Sequence, residues 1–484
     1  MGVLSGLEPA RVFHYFEEIC GIPHGSYNEK EISNYLAEYA KTHNIEYIQD
    51  ELYNVIMFIP ASEGYEQEEP IILQGHMDMV CEKRPDVLLD MEKEAISLVV
   101  DGDFVRADGT TLGGDDGIAI AYMLAIAEDK TIPHPPLEFI ITVSEEVGMD
   151  GAAGIDLSML KGTRMLNIDS EEEGIFLTSC AGGVSAHVNI PIIWSVPRKE
   201  QTYLLKVSGL MGGHSGVEIN KERANANKVI ARVLFALKDK VDYQLFALEG
   251  GAKDNAIPAY AEAKIGFLAT QEENACQVVE ELKDTLQAEY AVSDADITVS
   301  LEVYKDEIPN KRALDEQSLQ NVLSFLMVVP NGVQAMSMSV PGLVETSLNM
   351  GIMKLNEDGL FTQHAVRSSV TSRKYYVVEQ MTSLVQSLGG KLVCKGAYPA
   401  WEYKQDSPVR DRVIALYREM YQKEPVMEGI HAGLECGLLA DKIENLDCIS
   451  MGPDIMDIHT PVERLSIAST KRVYEFILAF LKQR

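Results

Sequence analysis

PIILQGHMDMV, residues 70–80, is the stretch from which the fold can be read. It is a short apolar run, the pattern of a buried strand, and it closes on the polar group Gly75-His76-Met77-Asp78. The same texture recurs at 137–144 (LEFIITVS) and 164–168 (RMLNI). Between them, 117–129 (GIAIAYMLAIAED) is apolar on nearly every side, which predicts a buried helix. Strands alternating with helices predict an α/β domain with a largely parallel sheet. In such sheets ligands gather at the carboxyl ends of the strands.

Further along, the texture changes after CAGGV (180–184). Strand-like runs such as 202–208 (TYLLKVS), amphipathic helices such as 221–240 and strands near 296–304 predict a separate α+β domain. The first texture returns at 393–398, 446–451 and the closing helix 466–482. The expected organisation is one α/β domain, 1–186 and 393–484, interrupted by an inserted α+β domain, 187–392. The insert is long enough for two similar halves, although no repeat is visible in its sequence.

At 484 residues the chain exceeds one ordinary core, and 46% hydrophobic with 24% charged residues is globular composition. The formal charge of −32 disfavours nucleic-acid and membrane-surface partners. The N-terminal residues show no signal peptide, and no run approaches the roughly 18 apolar residues of a membrane span. Seven widely spaced cysteines without a Cys-x-x-Cys predict free thiols in a cytoplasmic protein.

Five polar clusters carry the chemistry. His76 and Asp78 close the first strand, two apart, as an imidazole and the carboxylate that would orient it on a metal. Leu112-Gly113-Gly114-Asp115-Asp116-Gly117 leads into the buried helix. Glu145 and Glu146 follow the strand at 137–143, and adjacent carboxylates repel unless a cation offsets them. Asp169 closes the third strand, and His459 lies on a loop of the same domain. A wet strand end, a helix cap or a solvated loop accounts for any one of these. Together they point to a metal site, and imidazole with carboxylate but no thiolate suits zinc, with manganese or cobalt as substitutes. The set is large enough for two ions sharing a carboxylate, with Asp115 and Asp116 both open as the bridge. In the insert, Met211-Gly212-Gly213-His214-Ser215-Gly216 places a histidine among glycines, while Asn255 and Arg367 are polar groups in DNAIP and VRSS contexts. His431 and Glu435 form a last cluster, read as substrate contacts or as loop structure.

The order His-x-Asp, Gly-Gly-Asp-Asp-Gly, Glu-Glu, Asp and a C-terminal His resembles the M20 metallopeptidases. The finer resemblance is to their aminoacyl-histidine (Xaa-His) dipeptidase branch. It is carried by TTLGGDDGIA (110–119), TVSEEVGMDGA (142–152), NIDSEEEG (167–174), GLMGGHSG (209–216), NAIP (255–258) and IHAGLECG (430–437). Gly114 departs from it, since relatives commonly have Ala there.

The resemblance implies two zinc ions, one on His76 and Asp169, the other on Glu146 and His459, with Asp115 bridging. It further implies Asp78 behind His76, Glu145 as general base, and His214 as oxyanion stabiliser. Asn255 and Arg367 would hold the substrate carboxylate. The expected reaction is hydrolysis of small peptides, with Xaa-His dipeptides as the substrate class. Two other readings are an aminoacylase or deacetylase of N-acyl amino acids, and a non-catalytic metal- or peptide-binding protein. An intact Glu145 argues against the last. A homodimer is expected if the insert is a single unit that needs a partner copy to supply His214; an insert of two similar halves supplies it within one chain.

Overall fold

Ile71–His76 is a strand with every residue buried in the computed structural model, which describes residues 2–198, 200–308 and 311–483. A strand covered on both faces reads as a continuous apolar run, not as an alternation. It lies between Leu137–Thr142 and Arg164–Asn167 and runs parallel to both. Asp447–Ser450 continues the parallel set beside Arg164–Asn167. Glu46–Gln49 and Val55–Ile59 add antiparallel strands at one side, and Ile175–Cys180 pairs antiparallel with Asp447–Ser450 at the other. The eight-stranded sheet is therefore parallel at its centre and antiparallel toward its margins.

The Gly114–Glu128 helix is buried from Gly114 to Ala127, as its all-round apolar sequence demands. It packs in one core with Phe13 and Phe16 of the Ala10–Cys20 helix and with the sheet residues Leu73, Phe139 and Leu166. Since the central strands are parallel, their carboxyl ends share one edge of the sheet. That edge carries His76, the 144–146 turn and Asp169. Far along the chain, Ile455–Met456 and Arg464–Ser466 pair as a hairpin whose loop, 457–463, carries His459.

These elements form one unit: Met1–Cys180, Tyr403–Gly429 and Leu434–Arg484. A second unit comprises Ala181–Glu402 and Ile430–Gly433 and has its own hydrophobic core. The expected edges at 186/187 and 392/393 fall inside strands. Gly182–Pro191 and Lys391–Tyr398 pair with each other, Leu392 opposite Val188, so both belong wholly to the second unit. The strand read at 393–398 as a return of the first domain is a correction on the same ground. Its hydrogen-bonding partner decides its domain, and its local texture does not.

The second unit contains the two halves that its length allowed. Gln201–Ser208, the helix Ala226–Lys238, Gln244–Gly250, Ala261–Phe267, the helix Glu272–Glu289 and Thr298–Val303 form one strand–helix–strand–strand–helix–strand half. Gly182–Pro191, the helix Glu316–Val328, Val344–Leu355, Gly359–Ser368, the helix Thr371–Ser387 and Lys391–Tyr398 repeat it. In both halves the first strand pairs with the fourth and the third, and the third with the second. The halves meet where Gln244–Gly250 pairs antiparallel with Val344–Leu355, giving a pseudo-twofold sheet. The first strand of the second half is separated from its helix by the whole of the first half, which hides the repeat from sequence inspection. Among the described residues, no helix is long and apolar enough to cross a membrane.

Candidate metal centre

His76, at the end of its strand, is 1% exposed. Gly75 before it must be glycine: a Cβ there would lie 2.3 Å from Asp116 Oδ2. The His76 Nδ1 atom is 2.9 Å from the backbone carbonyl of Asp78, an acceptor only, so Nδ1 carries the hydrogen. The other ring nitrogen, Nε2, then presents a lone pair, and it faces Asp115 Oδ1 at 3.1 Å and Asp169 Oδ1 at 3.3 Å. A lone pair against two carboxylate oxygens in a buried site repels them unless a positive centre, a proton or a metal cation, lies between. The residues present therefore fit a metal cation.

Asp115 turns its second oxygen to His459, whose Nε2 is 3.3 Å from Asp115 Oδ2 and 2.9 Å from Glu146 Oε1. Asp115 thus touches both imidazoles, one through each oxygen. Asp116 faces the strand instead, accepting the His76 backbone N–H at 3.2 Å. Three overlapping groups could hold an ion: His76, Asp116 and Asp169; His76, Glu145 and Glu146; Asp115, Glu146 and His459.

The electrostatics match. Burial, with Asp169 beside it, pushes Glu145 well above the usual carboxylate range. Burial likewise raises Asp169 to about 7, against the pull of His76, and raises Asp116 well above its ordinary value. Burial would raise Asp115 too, but hydrogen bonds from His459 and His76 hold it low. This much carboxylate does not stay ionised together without a cation. Asp78 differs in detail from expectation. Its carboxylate is 3.5 Å from His76 Nδ1 and accepts the backbone N–H groups of Glu145 at 2.9 Å and Glu146 at 3.3 Å. It fixes the glutamate turn, while its carbonyl orients His76.

The second unit holds the other expected residues. His214 sits on a short strand, Gly213–His214, paired with Ala256–Ile257. Its Nδ1 accepts the N–H groups of Gly216 at 3.2 Å and Val217 at 3.3 Å, so Nε2 carries the hydrogen and is a donor. Burial and then Arg367 lower its pKa, which keeps it neutral. His431 bonds Ser347 Oγ through Nε2 at 2.7 Å, and burial followed by Arg367 lowers it to about 3. Arg367 donates to the Tyr398 hydroxyl at 2.8 Å. With Asn255 and Tyr398 it lines a cavity of about 120 Å³. His431 and Glu435, adjacent in sequence, fall in different units. Glu435 is wholly buried, and its Oε2 accepts from Gln74 Nε2 and Thr142 Oγ1, both at 2.6 Å.

The chain matches the peptidase dimerisation domain over residues 205–294, the first half of the second unit. It is 37% identical to the cytosol non-specific dipeptidase of Escherichia coli, across 100% of this chain and 99% of that protein. The chain belongs to the M20 peptidase family. An aminoacylhistidine dipeptidase from Vibrio alginolyticus superposes with a TM-score of 0.93 at 34% identity, covering 99% of this chain and 97% of that one. An aminopeptidase from Bacillus cereus shares the fold, with a TM-score of 0.56 at 15% identity over 98% of each chain.

Sequence inspection passed over Gln74 and Thr142 and read Glu435 only beside His431. Gln74, Thr142 and Glu435 join Asn167, whose Nδ2 donates to Gln74 Oε1 at 2.6 Å, in a buried polar crosspiece. It lies under the strand ends that carry His76, Glu145 and Asp169. A lone glutamine inside the apolar run PIILQGH was the available signal. Glu463 is 3% exposed, within a loop of mixed composition that gave no signal.

Proposed function

We propose that the protein is a dinuclear zinc dipeptidase acting on aminoacyl-histidine and related dipeptides. The observation that carries this reading is Asp115, set between two imidazoles with one oxygen toward each. His76 and Asp169 would hold one ion, Glu146 and His459 the other, and Asp115 would be shared, with Asp116 left to brace the His76 main chain. The bound ions supply Lewis acidity, polarising a carbonyl and lowering the pKa of a water.

The chain's own groups supply the rest. Glu145 accepts the water proton and passes it to the leaving amine, and its upward-shifted carboxyl suits a group that must carry a proton in mid-reaction. His214, with its hydrogen fixed on Nε2, donates to the oxygen on which negative charge develops. Arg367 and Asn255 bind the substrate carboxylate, and His431 contacts substrate beside them, for Arg367 shifts the titration of both His214 and His431. For Glu435, complete burial supports a role beneath the site in place of substrate contact.

The name of the Escherichia coli relative and the free thiols of all seven cysteines support a cytosolic enzyme. The match over 205–294 supports a homodimer, and sedimentation as a monomer would remove that part. The purified chain should bind about two zinc ions, and Asp115→Ala should lower occupancy of both sites. Full occupancy in that variant would transfer the bridge to Asp116. A panel of Xaa-His dipeptides, other dipeptides and N-acetyl amino acids, with zinc added, checks the reaction. Turnover of the N-acetyl compounds alone would make the protein an aminoacylase instead.

A further inference from the structure

Glu463 is a buried residue in an exposed loop. In the 457–463 hairpin loop His459 is 44% exposed and Val462 58%, while Glu463 is 3% exposed. Apolar packing does not draw a carboxylate inward, since an ion taken from water needs full compensation. The compensation is a row of backbone N–H groups. Glu463 Oε2 accepts from Leu112 at 2.7 Å and Gly113 at 3.2 Å, and Oε1 from Gly114 at 2.8 Å and more distantly Asp115 at 3.5 Å. These N–H groups belong to the turn before the Gly114–Glu128 helix and to its irregular first residues, where Asp115 is non-helical, so no regular helical pairing takes them up.

The two segments joined in this way are the ones that carry Asp115 and His459. Glu463 is four residues beyond His459, and the turn between them is closed by Glu463 N–H on the Thr460 carbonyl at 3.1 Å. Thr460 Oγ1 in turn donates to the Asp457 carbonyl at 2.6 Å. His459 has φ of +59°, in the sparsely populated left-handed region. Besides the approach of His459 to Asp115 itself, the clamp at Glu463 ties this loop to the Asp115 segment. His76 is held differently, by strand pairing opposite Thr142 and by the Asp116 carboxylate on its N–H, and Asp169 follows the strand Arg164–Asn167; these contacts do not involve Glu463.

We propose that Glu463 is a positioning residue for one half of the metal centre. It sets the separation of His459 from Asp115, and so governs the site of Asp115, Glu146 and His459 while leaving the site of His76 and Asp169 largely alone. The inference rests on the two-ion reading above. It predicts a selective effect, which a simple helix cap would not produce.

The test is zinc titration of the full-length protein against a chromogenic chelator, with the thermal midpoint of the metal-free form measured in parallel. Glu463→Gln keeps the length but offers one acceptor and turns N–H groups toward N–H groups. Glu463→Asp keeps the charge but is too short to span the gap. Both variants should hold one equivalent within about twofold of normal and bind the other roughly tenfold to a hundredfold more weakly, the range for residues that orient metal ligands. Either variant suffices if the other does not fold. Two unchanged affinities in the variants would overturn the inference. So would two affinities falling together with a lowered metal-free midpoint, because that is loss of a cap. Fewer than two equivalents in the unaltered protein would overturn the two-ion reading itself.

Discussion

At the strand ends of the first unit, carboxylates surround two imidazoles; in the second unit, a guanidinium stands near two others. Asp115, Asp169 and Glu146 meet His76 and His459, and the histidine pKa values go up. Burial and Arg367 press His214 and His431 down. The same side chain is prepared for opposite work by its neighbours. The first cluster is incomplete without a cation. The second, with neutral donors and a guanidinium, is suited to an anion: the carboxylate of a peptide and the charge that develops on its carbonyl. The manner of construction differs as well. Parallel strand ends carry His76, Glu146 and Asp169 while a hairpin loop brings His459, whereas in the second unit Arg367 stands on the long strand Gly359–Ser368 and His214 on the short strand Gly213–His214.

The largest expected effect tests whether the acidic cluster does more than bind metal. Glu145→Gln should leave zinc content nearly unchanged and lower turnover by about 10²–10⁴-fold, because a neutral amide cannot accept the proton. Near-normal turnover with full zinc would mean the acidic cluster is only a metal cradle, and the base would have to be sought elsewhere.

The next pair tests the second cluster. His214→Ala should lower turnover about 10²–10³-fold, the usual cost of losing one oxyanion donor, with zinc content and Michaelis constant little changed. Arg367→Ala should act chiefly on the Michaelis constant, by roughly tenfold to a hundredfold, since a charged hydrogen bond to the carboxylate exists before and during reaction. If both variants changed the same parameter equally, His214 and Arg367 would be serving one task. The contrast between a transition-state donor and a ground-state anchor would then collapse.

The acidic cluster was largely legible because strand ends announce themselves. An apolar run that stops on His76, Glu145 or Asp169 marks both the strand and its carboxyl end. What was not legible depended on partners distant in sequence. Asp78 was read as the carboxylate behind His76, and it lies 3.5 Å from His76 Nδ1; that its oxygens also hold the main chain of Glu145 and Glu146 was not visible in the sequence. Glu435 was read with its neighbour His431, yet it turns inward to Gln74 and Thr142. Glu463 gave no signal, because a burial driven by backbone N–H groups leaves no periodicity. The limits of the insert were misplaced for a similar reason. Val393 looks like any strand residue until Lys391–Tyr398 is seen to pair with Gly182–Pro191.

The smallest expected effect asks how tightly the acidic cluster is set, and two glycines answer it differently. At Gly114 a Cβ would lie 3.2 Å from Glu463 Oε1 and 3.4 Å from Ile455 Cγ2. The nearer atom is the tip of a side chain that can give by a few tenths of an ångström. Replacing a glycine at a helix start by alanine stabilises by about 0.4–1 kcal/mol where the backbone permits it, chiefly by restricting the unfolded chain. Gly114→Ala should therefore leave turnover and both zinc affinities within about twofold, with an unchanged or slightly raised thermal midpoint. Gly75→Ala, with its Cβ 2.3 Å from Asp116 Oδ2 and 2.7 Å from the Ala119 methyl, has no such outlet and should lose zinc and stability together. A tenfold loss of one zinc equivalent in Gly114→Ala would show that displacing Glu463 by tenths of an ångström is enough to disturb His459. The acidic cluster would then be as finely set at its hairpin side as at its strand side.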